Sequence, residues 1–295
     1  MAGDRTSRVA TPDGRTLSVV EAGVDSGPVV VSHHGTPSSG GFFGMELEGA
    51  ARLGLRLVAY DRPGYGGSTP DPGRTVADAA ADVAAILDEL GIERFATYGV
   101  SGGGPHALAC AALLPDRCVA AASVVGIGPP DAPDLDLVEG MGEGNIVEFA
   151  AARKGREALT EFLTAEAADM VSVQAEELRT AMEPHLSTVD AEALTGELAE
   201  YMLESVKIGL VPGVEGWVDD DLAFLEPWGF DLGTLGVPTL VWQGEQDLMV
   251  PAAHGHWLLE HVAGAEGEVF PDEGHLTLGS HRIHEVLEWL AGHLR

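Results

Sequence analysis

A chain of 295 residues is long enough for one large domain, or for a core with an inserted subdomain. Hydrophobic content of 45% is ordinary for a globular protein, and no apolar run approaches about eighteen residues, which excludes a spanning helix. A formal charge of -31 would repel phosphate backbones and argues against nucleic acid as a partner. Met1 to Arg15 is polar and lacks the apolar stretch of a secretory signal, so the expected location is cytoplasmic. Arginine carries nearly all the positive charge beside only Lys154 and Lys207, which reads as GC-rich coding bias, with salt adaptation as the alternative. Cys110 and Cys118 are too few for a disulfide framework and read as small buried hydrophobes, and no Cys/His cluster has zinc spacing.

Taken in order, Thr16–Glu21 reads as a strand after the turn Pro12-Asp13-Gly14. Val29-Val30-Val31 is a continuous apolar run, the mark of a strand buried on both faces, and it runs into His33-His34-Gly35-Thr36-Pro37. A helix is expected from Phe42 to Leu53. A strand follows over Leu55–Tyr60, ending in the glycine-rich loop Asp61-Arg62-Pro63-Gly64-Tyr65-Gly66-Gly67-Ser68. Thr75 to Leu90 has a capping pair, Thr75 and Asp78, and an apolar face at Val76, Val83, Leu87 and Leu90. Phe95–Tyr98 is the next strand, then Gly99-Val100-Ser101-Gly102-Gly103, then a small-residue helix to Leu114 and a strand over Val119–Val125.

Strand and helix alternate to this point, which implies a mostly parallel, doubly wound α/β sheet covered by helices on both faces. From about 130 to 231 the pattern becomes helical without strands, as expected of a cap inserted over the sheet's carboxyl edge. The expected division is therefore a core over 1–129, a helical cap over 130–231 and the rest of the core over 232–295. In the last part, a strand over Thr239–Gln243 precedes Gly244-Glu245-Gln246-Asp247-Leu248-Met249-Val250-Pro251. A strand over Gly267–Phe270 precedes Pro271-Asp272-Glu273-Gly274-His275, and a helix over Ile283–Leu294 ends the pattern.

The stretch around Ser101 fits Gly-x-Ser-x-Gly between a strand and a helix, the context of a nucleophile elbow. With the Asp247 and His275 loops it resembles the α/β-hydrolase superfamily over nearly the whole chain, in its serine-nucleophile branch with a helical cap. The resemblance implies Ser101 as nucleophile, His275 as base and Asp247 as the acid that orients it, in the family order Ser, Asp, His. It also implies an oxyanion hole from the amides of Gly102 and Thr36, with Gly35, beside the substrate in the same loop, as the alternative to Thr36. His34 and Asp61 are expected to shape their loops. Asp272 is expected to tune His275 at most, and the other histidines to be surface or structural.

Phe42, Phe43, Trp217, Trp228 and Trp242 are candidates for an apolar substrate pocket, each against the plainer role of core packing. Asp219-Asp220-Asp221 reads as a solvated turn. No cofactor or metal is implied, the expected partner is a small molecule, and the oligomeric state is left open between monomer and homodimer.

Family members with an aspartate at the elbow, haloalkane dehalogenases and epoxide hydrolases, do not match Ser101. The expected activity is hydrolysis of a small, fairly apolar carboxylic ester or lactone through an acyl-serine. His34-Gly35-Thr36-Pro37 and the Asp61 loop also resemble proline iminopeptidases, although Thr36 and Ser38 stand where their fuller motif has glycine. An iminopeptidase-like amidase, with cap acids such as Glu143, Glu148 or Glu204 holding an amine, is the alternative. A cofactor-free perhydrolase and a non-catalytic ligand-binding protein on the same fold are further alternatives.

Overall fold

The computed structural model describes residues 5–295; the expected start of the core at residue 1 lies outside the described residues. The sheet has eight strands: β1 (Arg5–Ala10), β2 (Thr16–Gly23), β3 (Val29–His33), β4 (Arg56–Tyr60), β5 (Phe95–Val100), β6 (Cys118–Val124), β7 (Thr239–Gly244) and β8 (Ala265–Phe270). Their spatial order is β1-β2-β4-β3-β5-β6-β7-β8. β2 runs antiparallel to both neighbours, and every pairing from β4 to β8 is parallel. β1 escaped the sequence reading because it is an edge strand, its polar residues mostly exposed and only Val9 fully buried.

Around the sheet lie α1 (Gly44–Leu53), α2 (Ala79–Glu89) and α3 (Gly103–Leu113). Between β6 and β7 come α4 (Glu143–Ala152), α5 (Arg156–Ser172), α6 (Ala175–Ala181), α7 (Thr188–Ala193), α8 (Gly196–Gly209) and α9 (Glu215–Phe224). The chain closes with α10 (Ala252–His261), α11 (His275–His281) and α12 (Ile283–His293). No described helix is long and apolar enough to cross a membrane.

Alternation along the strands divides the core between the two faces of the sheet. Val29 and Val31 of β3 pack with Val83, Leu87 and Leu108 of α2 and α3. Val30, between them in sequence, packs on the opposite face with Leu287 and Leu290 of α12. The apolar face expected at Val76, Val83 and Leu87 is buried, with Leu90 packed at its margin. The Thr75 amide and hydroxyl both donate to Asp78, so the expected capping pair forms, although its first turn is a 3₁₀ turn over Val76–Asp78.

The helical insertion has its own apolar centres. Leu159, Leu163, Val206, Trp217 and Val218 pack with Tyr65 of the core. Leu178, Leu186, Leu194 and Leu198 pack with Leu276 of α11. α9 is a correction to the sequence reading: Asp219, Asp220 and Asp221 are helical and only 1%, 0% and 2% exposed, where a solvated turn was expected.

Candidate active site

Ser101 follows β5 directly and has φ of 57°. A non-glycine residue in the left-handed region carries strain of about 1–3 kcal/mol and persists only where its surroundings impose it. Here the Ser101 amide donates to Val124 O at 2.9 Å, and its carbonyl accepts from Gly104 N at 2.8 Å. The chain turns so tightly into α3 that a Cβ at position 99 would overlap the Gly103 backbone. The strand-turn-helix context expected of the pentapeptide is therefore present.

At the same end of the sheet, His275 opens α11 and Asp247 lies in the loop after β7. The His275 Nδ1–H faces Asp247 Oδ2 at 2.7 Å. The carboxylate is fixed by its own loop: Oδ1 accepts the amides of Met249 and Val250, both at 2.8 Å, and Oδ2 also accepts Gln243 Nε2 at 3.0 Å. Burial pushes the Asp247 carboxyl above its ordinary pKa against the pull of the imidazole and the two amides. Burial works to lower the His275 pKa, but the nearby Asp247 charge, its hydrogen bond and the charge of Asp190 outweigh it, so the net direction is upward. Ser101 and His275 line the same pocket.

The loop after β3 lies against the elbow, and a Cβ at Gly102 would run into Thr36 Oγ1. Arg62 braces this loop from behind. Its guanidinium donates to His34 O, to Gly35 O at 3.0 Å and to Thr36 Oγ1 at 3.0 Å. Asp220 of α9 completes the brace, accepting Thr36 Oγ1 at 2.6 Å, Tyr65 Oη at 2.9 Å and Arg62 at 2.6 Å, with Arg74 at 2.7 Å. Burial alone would raise the Asp220 pKa, but Arg62 and Arg74 hold it well below the carboxylate range.

His34 shapes the loop as expected. Its Nδ1 meets Gly35 O at 2.7 Å and its Nε2 accepts Arg62 N–H at 3.0 Å, which fits a neutral ring whose pKa burial depresses. Asp61 also acts within its loop, accepting the amides of Gly40 and Gly67 at 2.8 and 2.9 Å. Asp272 is exposed.

Two adjoining pockets meet at Ser101, Thr36 and Pro37. The first, of about 150 Å³, lies over Gly102 and is walled by Phe149, Phe224 and Trp217 with the carboxyl groups of Glu148, Glu166 and Asp221. Burial raises the pKa of both Asp221 and Glu148, and the closeness of the two carboxyls adds to the rise for Asp221. The second, of about 220 Å³, contains His275 and is mainly apolar, with Phe43, Leu198, Tyr201 and Val206 in its wall. Neither pocket has a lysine or arginine in its wall.

Gly35, Phe43 and Trp217 line these pockets; Phe42, Trp228 and Trp242 do not, and Trp228 is buried in the core. Phe42 is buried in the core beside α12. Trp242 shares a strand face with Leu240, sits edge-on to Phe270 at 5.1 Å and carries the Arg282 guanidinium over its ring. Period-two alternation along β7 was the available signal for this placement.

Of the histidines expected to be surface or structural, His33, His106 and His254 are fully buried. His185 instead lines the first pocket and bonds Asn145 at 2.7 Å. Cys110 and Cys118 are buried free thiols. The sequence reading missed Asp190, whose Ser187-x-x-Asp190 spacing signals a helix start but gives no sign of what the carboxylate faces.

A family model described as alpha/beta hydrolase fold matches residues 28–281. The chain is 33% identical over 123 residues to the bifunctional esterase/perhydrolase of Acinetobacter calcoaceticus, a match covering 41% of this chain and 45% of that protein. It therefore spans less than half of that relative's length. It is 28% identical over 287 residues to the 2-hydroxy-6-oxononadienedioate/2-hydroxy-6-oxononatrienedioate hydrolase of Cupriavidus pinatubonensis, covering 94% of this chain and 91% of that one. Among solved structures, a thermophilic esterase from Thermogutta terrifontis superposes with a TM-score of 0.69 at 24% identity, over 99% of this chain and 100% of that chain. With the family match spanning most of its length and the eight-stranded, mostly parallel sheet in place, the chain belongs to the alpha/beta hydrolase fold family.

Proposed function

We propose that the protein is a serine hydrolase acting on a small, fairly apolar carboxylic ester or lactone through an acyl-serine intermediate. One observation carries this reading: the strained Ser101 stands where two pockets meet, on the sheet edge that also holds the 2.7 Å His275–Asp247 pair.

Serine is a weak nucleophile at neutral pH and needs a base. His275 takes the Ser101 proton as Oγ bonds to the substrate carbonyl carbon, and the carbonyl oxygen becomes an oxyanion. The amides of Gly102 and Thr36 donate to it, and the Arg62–Asp220 brace holds Thr36 in place for that task. Collapse of the tetrahedral intermediate breaks the bond to the alcohol oxygen, which leaves with the proton from His275. Water then repeats the sequence on the acyl-serine, with His275 again taking and returning one proton. Asp247 holds the imidazole tautomer and offsets its positive charge. The insertion serves as the cap, since it contributes walls to both pockets.

The pocket chemistry narrows the substrate. The walls of the two pockets present four carboxyl groups, Glu148, Glu166 and Asp221 in the first and Glu46 in the second, and no lysine or arginine, so a dicarboxylate of the kind named for the Cupriavidus relative is disfavoured. Neutral esters fit better.

The carboxyl groups of the first pocket favour a second reading, an iminopeptidase-like amidase in which Glu148, Glu166 and Asp221 face a substrate amine. Stopped-flow hydrolysis of p-nitrophenyl acetate and butyrate, alongside proline p-nitroanilide, separates the two. A burst on the esters that Ser101→Ala removes, with no anilide cleavage, supports the esterase. Anilide cleavage supports the amidase. A wild-type rate in Ser101→Ala ends both.

A further inference from the structure

We infer that Asp190, on the helical insertion, is a positioning residue for His275, clasping the start of α11 and so tying the base to the insertion; this rests on His275 being the base. The carboxylate is fully buried and reaches across 85 positions of sequence. Its Oδ2 accepts His275 N–H at 2.9 Å and its Oδ1 accepts Leu276 N–H at 2.8 Å and Thr277 N–H at 3.1 Å. The Ser187 hydroxyl donates to Oδ2 at 2.8 Å and steadies it.

The first amides of a helix have no acceptor within it, and the residue just before the helix ordinarily supplies one from its side chain. Here that residue is Gly274, which has none. The space its side chain would fill is taken by Asp190, because a Cβ at 274 would overlap the Asp190 carboxylate. The bare position and the distant carboxylate are complementary. Leu276, on the same turn, is buried among Leu178, Leu186, Leu194 and Leu198 of the insertion, a second tie between the same parts.

The backbone of His275 is thus set jointly by the core and by α7, while Asp247 sets only its ring. The charges acting on the ring are Asp247 from the loop after β7 and Asp190 from α7. Glu46 of α1, Tyr201 of α8 and the neighbouring His33 and His34 are the other titratable groups of that pocket. Removing the Asp190 charge therefore lowers the pH at which His275 protonates, and loosening the clasp misplaces the ring.

The test uses the full chain and the pH profile of ester hydrolysis in Asp190→Asn, Gly274→Ala and His275→Gln. Asp190→Asn is expected to lower kcat roughly 10- to 100-fold, the scale of an ångström-sized misplacement, with KM little changed and the acid limb of kcat/KM moved to lower pH. Gly274→Ala displaces the carboxylate without removing its charge and is expected to lower kcat similarly. The position of the acid limb does not depend on how much enzyme is folded, so a poor yield of either variant leaves the reading intact. A wild-type kcat and an unmoved limb in Asp190→Asn, with His275→Gln inactive, overturns the role of Asp190 alone. An active His275→Gln overturns both this inference and the hydrolase mechanism.

Discussion

Asp220 receives the Thr36 hydroxyl at 2.6 Å from 184 positions away, so the loop beside the elbow is anchored by a helix of the insertion. The same carboxylate binds two buried arginines, Arg62 and Arg74. Removing one partner of such a set leaves the other charges buried without compensation. Asp220→Ala is expected to cost about 3–5 kcal/mol of stability, read from urea unfolding. A loss under about 1 kcal/mol would mean that water reaches the arginines and that the brace is not closed.

Ser101→Ala is expected to lower ester turnover by up to about a million-fold, the scale seen when a catalytic serine is removed from its triad. Its thermal melt should stay near that of the wild type, because the side chain faces a pocket and leaves no packed void. Comparable turnover in the variant would remove Ser101 from the mechanism.

The raised pKa of His275 gives a pH dependence with two opposite signs. In the proposed mechanism only neutral imidazole accepts the Ser101 proton, so kcat/KM should rise with pH, with a midpoint above the ordinary histidine value near 6.5. Stability runs the other way. The folded state holds this proton more tightly than the unfolded chain, so the contribution is complete below about 6.5 and is lost as pH rises through the folded value. Comparing the melts of the wild type and His275→Gln on both sides of that window isolates the histidine. A wild-type advantage that grows toward alkaline pH would contradict the assigned direction.

Neighbouring phenylalanines should respond differently to truncation. Phe42 is core, so Phe42→Ala is expected to cost about 3–5 kcal/mol of stability and leave the preference between acetate and butyrate esters unchanged. Phe43 is in the pocket wall, so Phe43→Ala should shift that preference with a smaller stability loss. Identical selectivity in both variants would place Phe43 outside the path of the substrate.

The legible parts of this chain are those where local pattern and tertiary role coincide. Val29-Val30-Val31 announces a buried strand, and the loops at His34, Ser101, Asp247 and His275 each follow a strand, so topology alone gathers them at one edge. α9 was hidden because three adjacent aspartates look solvated until their distant partners are known. Asp219 meets Arg156 and the Gly73 amide, Asp220 meets two arginines, and Asp221 lies against Glu148. Asp190 was hidden for the same reason, since the three amides it serves belong to residues far along the chain. Trp242 was open between pocket wall and core, and the structure gives the core: the alternation of β7 puts it on the face of Leu240.

The meeting of two unlike pockets at Ser101 gives the protein a left and a right hand. A substrate bridging them must be greasy toward His275 and tolerant of carboxyl groups toward Gly102. Phe43 and Leu198 wall only one side and Glu148 and Asp221 only the other, while Met170, Leu178, Met182 and Met249 wall both, so a change at an unshared residue alters one half of the fit and a change at a shared one alters both. Under the proposed ester chemistry, selectivity for the departing alcohol and for the retained acyl group can therefore drift apart through the unshared wall residues, around an unchanged serine.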